Sequence, residues 1–190
     1  MYHPNLLTII ANTFSEHVKD IIEMGFKPSE KRFVHALKSV STMSKKTWET
    51  KMEVYGRWGW SENEIKLAFR KFPICMSLSE KNIMSTVDFL VNKMGWKPSA
   101  VVQVPTVLGY SLEKRIIPRC SIIRVLVLKG LINKETPLST ILVISDQRFL
   151  DTFVTKYQDE ASQLSDIFQG KMGLLELGFA FEQKSDTKNK

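Results

Sequence analysis

The chain has 190 residues, 43% of them hydrophobic, and a formal net charge of +7. That apolar content supports a buried core and excludes a disordered chain. No apolar run approaches the roughly 18 residues of a membrane-spanning helix, so no membrane partner is expected. The charge is unevenly spread: residues 1–26 hold one Lys against three acids, residues 27–134 hold 20 Lys and Arg against 8 acids, and residues 135–190 hold 6 against 9. A positive field confined to the middle of a chain favours a polyanionic partner over general solubility.

Taken in order, the chain opens with Pro4-Asn5-Leu6-Leu7, which resembles the second half of a unit because Pro4 lies 69 residues before Pro73. Gly25, Gly59, Gly95 and Gly130 then follow at intervals of 34, 36 and 35, each ahead of a large apolar residue (Phe26, Trp60, Trp96, Leu131). Glycine after a helical pattern is the expected C-terminal cap, because it takes positive φ without steric cost. Ser15, Ser44, Ser79, Ser111 and Ser145 make a second ruler, spaced 29, 35, 32 and 34. Several of them precede an acid, as helix N-caps do. The phrase Met24-Gly25-Phe26-Lys27-Pro28-Ser29 returns 70 residues later as Met94-Gly95-Trp96-Lys97-Pro98-Ser99. Two marks with one period near 34 predict an array of helical repeats.

In the first full unit, Pro28 to Val40 and Lys45 to Tyr55 read as helices. In the second, Ser61 caps a helix whose Ile65, Ala68, Phe69 and Phe72 form a core-facing stripe, and Pro73 stops it. The short piece Ile74-Cys75-Met76 leads to a longer helix after Ser79, buried through Ile83, Val87, Leu90, Val91 and Met94 and closed by Gly95. The third unit is shortened: Trp96 to Pro105 is 9 residues where Trp60 to Pro73 is 13, a difference of about one helical turn. Pro118 is tolerated only in a first turn, so the regular helix is expected from about Ile116 or Pro118 to Lys129. It includes the strand-like run Val125-Leu126-Val127-Leu128. The last unit offers Leu138 to Ile144, a helix after Ser145 carrying Phe149, Phe153 and Tyr157, and a closing helix from Glu160 to Gln169. The array is expected over residues 1–172, starting in mid-repeat as a truncated array. Residues 173–190 are expected to form a C-terminal tail, disordered at its end.

A solenoid that binds nucleic acid needs Lys or Arg recurring on one face, so that the row tracks phosphates. Lys66 and Arg70 are i, i+4 partners on the side away from Ile65 and Phe69, and Lys71 adjoins them. Lys114, Arg115 and Arg119 form a similar cluster, with Arg124 further along. Lys45, Lys46 and Lys51 are the first-unit counterparts. The bland alternative is that these are solvated faces or partners of Glu62, Glu64 and Glu113. Trp58, Trp60 and Trp96 flank the cap glycines and are expected to pack repeat junctions rather than stack on bases. Cys75 and Cys120 are expected as buried free thiols, with a lone disulfide as the alternative. His3, His17 and His35 do not cluster at ligand spacing, so no metal or other cofactor is expected. No nucleophile elbow, phosphate loop or paired-carboxylate motif is present, so neither an enzyme nor a small-molecule substrate is expected.

Several longer phrases carry a resemblance. They are Trp58-Gly59-Trp60-Ser61 with Glu64-Ile65, Phe69-Arg70-Lys71-Phe72-Pro73, and Leu78-Ser79-Glu80-Lys81 with Phe89-Leu90-Val91-Asn92-Lys93-Met94-Gly95. Further on come Tyr110-Ser111-Leu112-Glu113-Lys114-Arg115-Ile116-Ile117-Pro118-Arg119-Cys120, Lys129-Gly130-Leu131-Ile132, and Phe149-Leu150 with Phe153-Val154. Together they resemble the mitochondrial transcription termination factor (mTERF) family, in particular its expanded plant branch. The resemblance implies an all-α fold, an α-solenoid of three-helix repeats bent into a crescent whose basic concave groove holds nucleic acid. It implies a double-stranded DNA-binding regulator of organellar transcription, including termination, or an RNA-binding processing factor as in some plant members. Mitochondrion or chloroplast is the implied location, although Met1 to Asp20 lacks Arg and does not read as a transit peptide. A monomer is expected. A protein–protein scaffold, with an apolar or mixed groove in place of a basic one, is the alternative from another class, and a degraded copy without activity is a third.

Overall fold

The structure, a computed structural model, describes residues 4–172, with side chains from residue 12. The expected tail at 173–190 and His3 lie outside the described residues. Among the described residues every regular element is helical. The chain divides into two compact units, Met1–Ile83 and Met84–Lys190.

In the first unit, helix α1 (Pro4–Glu23) starts on proline, whose missing N–H costs nothing in a first turn, and closes at Gly25. Helices α2 (Lys31–Ser41), α3 (Lys45–Gly56) and α4 (Glu62–Lys71) follow. Ser44 caps α3 by accepting from the Thr47 N–H, and Ser61 and Glu64 cap α4 reciprocally. Ser15 is no cap: it lies inside α1, which its place in the serine ruler did not anticipate. Along α4, Ile65, Ala68 and Phe69 are buried as expected. Phe72, expected on that stripe, stands past the helix end at φ −146°, because Pro73 excludes the helical conformation from the residue before it. The 3₁₀ turn Pro73–Ser77 then buries Cys75 and Met76.

Aromatic rings lock this unit. Phe26 and Trp48 both meet Phe69 edge-on, with centroids at 5.4 and 5.1 Å. Trp60 stacks on Tyr55 at 4.9 Å, the junction packing expected of it. The Tyr55 hydroxyl donates to the Cys75 carbonyl at 2.8 Å.

Helix α5 (Glu80–Asp88) begins after Ser79, whose hydroxyl accepts from the Asn82 N–H at 3.1 Å. It runs into the second unit and widens to a π turn at Phe89–Lys93 before Gly95. Ile83, Val87, Leu90 and Val91 are buried, and Met94 is half-buried. Helix α6 (Pro98–Gln103) has 6 residues where α4 has 10, the missing turn that the Trp–Pro spacing required. A 3₁₀ turn at Pro105–Gly109 follows. Ser111 caps a π turn at Leu112–Ile116, which feeds helix α7 (Ile117–Leu128). Pro118 therefore stands in a first turn. Helices α8 (Leu138–Leu142), α9 (Asp146–Phe149) and α10 (Leu164–Phe168) complete the unit, with a π turn at Leu150–Val154. The four ruler glycines all hold φ between +71° and +89°, and Gly170 adds a further one at +70°.

Cys75 and Cys120 are both free and buried. Burial pushes the Cys75 thiol up to about 12, and it pushes the Cys120 thiol and the Tyr55 hydroxyl up as well. Raised folded-state values mean that the protonated forms stabilise the fold fully below the unfolded thiol pKa of about 8.5. That contribution is lost as pH rises from there through the folded value. The urea midpoint should therefore fall between pH 9 and 11, less steeply in Cys75→Ala. A thiol reagent at pH 8 should label neither cysteine until the chain unfolds.

Candidate nucleic-acid interface

Helix α3 starts with Lys45 and Lys46 and has no acid in its first turn. The positive end of the helix dipole opposes both cations, at about 0.3–1 kcal/mol each. Both are exposed, and no ion pair reaches either among the described residues. Such a placement costs stability and leaves two ammonium groups facing solvent.

On α4, exposed Arg70 lies beside the Gly25 turn, where a Cβ on the glycine would stand 3.6 Å from Arg70 Nη1. One turn earlier, Lys66 pairs with Glu62 at 2.5 Å and holds that carboxyl below its usual range. Both partners are more than half exposed, so water and salt screen the pair. Lys66, Arg70, Asn63 and Trp48 share a groove of about 390 Å³. Outside the groove lining, Arg32 donates to the Arg70 carbonyl at 3.3 Å and pairs with Glu30 at 3.1 Å. Arg32, beside Lys31 at the start of α2, was not among the expected contacts. Lys71 is half-buried and engaged within the fold.

Other expected phosphate contacts are committed to the fold. The Lys51 ammonium donates to the carbonyl of Leu78, the residue just before the capping Ser79. Arg115 and Arg119 do the same two repeat boundaries later, since both donate to the carbonyl of Ile144, just before the capping Ser145. Arg115 also reaches the Leu142 carbonyl at 3.1 Å and stacks over Tyr110 at 4.5 Å. Arg119 reaches the Ile141 carbonyl at 2.9 Å and lies over Phe149 at 4.6 Å. Asp146 accepts from both guanidinium groups.

At 1% exposure, Arg119 has no surface to offer a phosphate, which corrects its assignment to the row. Burial lowers its pKa, and the bond to Asp146 opposes that shift. The carbonyl ends of short helices lack intrahelical partners and carry negative potential, so a cation there serves the fold. Arg124 is half-buried and engaged within the fold, while Lys114 is exposed in the first turn after Ser111. Asp146 was legible only as the neighbour of a cap serine, and nothing in the spacing tied it to two arginines a repeat away. Among the described residues, no group of three metal-ligating side chains comes together, and no helix is long and apolar enough to cross a membrane.

Serine-capped, glycine-closed helical units, with some cations inside the junctions and others on exposed helix ends, define an all-helical repeat protein. The chain belongs to the mTERF family, whose model matches residues 1–150. It is 33% identical over 79 residues to "Transcription termination factor MTERF15, mitochondrial" of Arabidopsis thaliana, covering 42% of this chain and 18% of that protein. It is 23% identical over 113 residues to "Transcription termination factor MTERF8, chloroplastic" of the same plant, covering 60% of this chain and 23% of that one. The matched stretches thus span about a fifth of each relative's length. No solved structure matches the chain.

The division of labour among the cations is measurable. Arg119→Ala should lower stability by about 3 kcal/mol in urea denaturation, because it leaves buried carbonyls and Asp146 without their donor. Lys114→Ala should change stability by less than about 0.5 kcal/mol.

Proposed function

We propose that the chain binds double-stranded DNA through its phosphates and acts on transcription in an organelle, termination included. Lys45, Lys46, Lys66, Arg70 and Lys114 are the contacts. The observation that carries this reading is the Lys45–Lys46 pair, exposed at the positive end of α3, where no acid of the first turn compensates it. In α4 and α9 an acid occupies the first turn and would offset such cations. Family membership supports nucleic acid as the polyanion, and the names of the two plant relatives support a transcriptional role in an organelle. Phosphate contacts carry no base code, so binding through these five is tolerant of sequence.

A salt titration on duplex DNA tests the proposal. Neutralising about five phosphates gives a slope of log K against log salt near −4.5, or a loss of about 500-fold between 50 and 200 mM salt. Lys45→Glu with Arg70→Glu should flatten that slope by about two and weaken binding alike on unrelated sequences. A slope near zero in the unaltered protein would sink the reading.

A further inference from the structure

The second unit holds an open groove of about 950 Å³ that none of the five duplex contacts lines. Part of its wall comes from α6 and the approach to it, and the rest from residues 134–139. That second part belongs to an unusually long connection: α6 starts three residues after Gly95, whereas α8 starts eight after Gly130. The connection is held in a turn. The Asn133 side chain accepts from the Glu135 N–H at 2.9 Å, and the Thr136 hydroxyl donates to the Asn133 carbonyl at 2.7 Å.

Trp96 stands in this groove and differs from its counterparts. Phe26 and Trp60, each next to a cap glycine, are 4% and 5% exposed, and each meets another ring. Trp96 follows Gly95 in the same way, yet it is only half-buried and lines the groove. It has no ring partner among the described residues. Lys97 and Lys134 are exposed groups of the same lining, and no ion pair reaches either among the described residues. Glu135 offsets one of them, so two lysines and one acid leave the lining at +1.

An accessible indole beside two unpaired ammonium groups suits a flat ring carried on a phosphate chain. Stacking on such a ring is indifferent to base identity, because every base has a π face. A duplex is the wrong occupant, since its base faces are already covered by their neighbours. An acidic peptide would use the lysines and leave the indole without a matching ring.

We propose that this groove binds unpaired, single-stranded nucleic acid. One base stacks on Trp96, and the adjoining phosphates lie at Lys97 and Lys134. The inference goes beyond the duplex reading and stands apart from it, because it uses none of the cations assigned there.

The test is titration of the full chain with a labelled oligothymidylate of about ten nucleotides at physiological salt. Oligouridylate of the same length is the second arm, and the tighter of the two identifies the strand as DNA or RNA. Affinity should fall about tenfold in Trp96→Ala and stay within about threefold in Trp96→Phe, which keeps a ring to stack on. Lys97→Gln/Lys134→Gln should flatten the slope of log K against log salt by about 1.4. Glu135→Gln should tighten the strand by about twofold. Duplex DNA affinity should stay within about twofold in all these variants, so the strand and duplex readings fail separately. The proposal is overturned if Trp96→Ala, folded by circular dichroism, binds the strand unchanged, or if the lysine variant keeps the original slope. Should Trp96→Ala not fold, the slope of the lysine variant decides alone, because both of its side chains are exposed. It is overturned equally if oligoglutamate binds more tightly than either strand and is lost in the lysine variant, for then the groove takes an acidic protein segment.

Discussion

Two short helices, Pro73–Ser77 and Leu138–Leu142, lead to carbonyls that no helix hydrogen bond of their own satisfies, Leu78 and Ile144, immediately ahead of the capping serines Ser79 and Ser145. The preceding long helix supplies the missing donor. Lys51 reaches the Leu78 carbonyl before Ser79, and Arg119 reaches the Ile144 carbonyl before Ser145. Counted from its own capping serine, Lys51 stands at offset seven and Arg119 at eight. The π turn at Leu112–Ile116 accounts for the difference, since it inserts one residue ahead of Arg119. Thr86, at offset seven from Ser79, is fully buried. The same helical position thus carries a polar, inward-facing group in three successive units.

This constraint decides what the positive charge is free to do. A count of Lys and Arg treats every cation alike, but Lys51, Arg115 and Arg119 donate to carbonyls of the fold, and of the three Arg119 is fully buried. What remains outside is a smaller set at exposed helix ends, with Lys45 and Lys46 at an unfavourable dipole position.

Much of the architecture was legible in the residues because its marks are backbone marks. Positive φ selects glycine, so Gly25, Gly59, Gly95 and Gly130 announced the helix ends. Pro73 and Pro105 announced the stops, and the short third-unit helix followed from counting between aromatic and proline. Ser15 misled because a serine followed by an acid is equally at home inside a long helix. The π turns were invisible, since one inserted residue leaves the apolar spacing nearly intact, and only Pro118 hinted at it. Arg119 was the larger miss. On a helix nearly uniformly apolar, its charge reads as the polar face, whereas Asp146 and three carbonyls from the following segment hold it inside. That partnership is tertiary, and a pattern of single residues does not contain it.

The separation of clasp cations from binding cations is the central claim, and lysine acetylation with and without duplex DNA tests it most directly. In the free protein, Lys45, Lys46 and Lys114 should acetylate readily and Lys51 should resist, because its ammonium is tied to the Leu78 carbonyl. Adding duplex DNA should protect Lys45, Lys46 and Lys114 and leave Lys51 unchanged. Rapid acetylation of Lys51 in the free protein, or DNA protection that spares Lys45 and Lys46, would contradict the account.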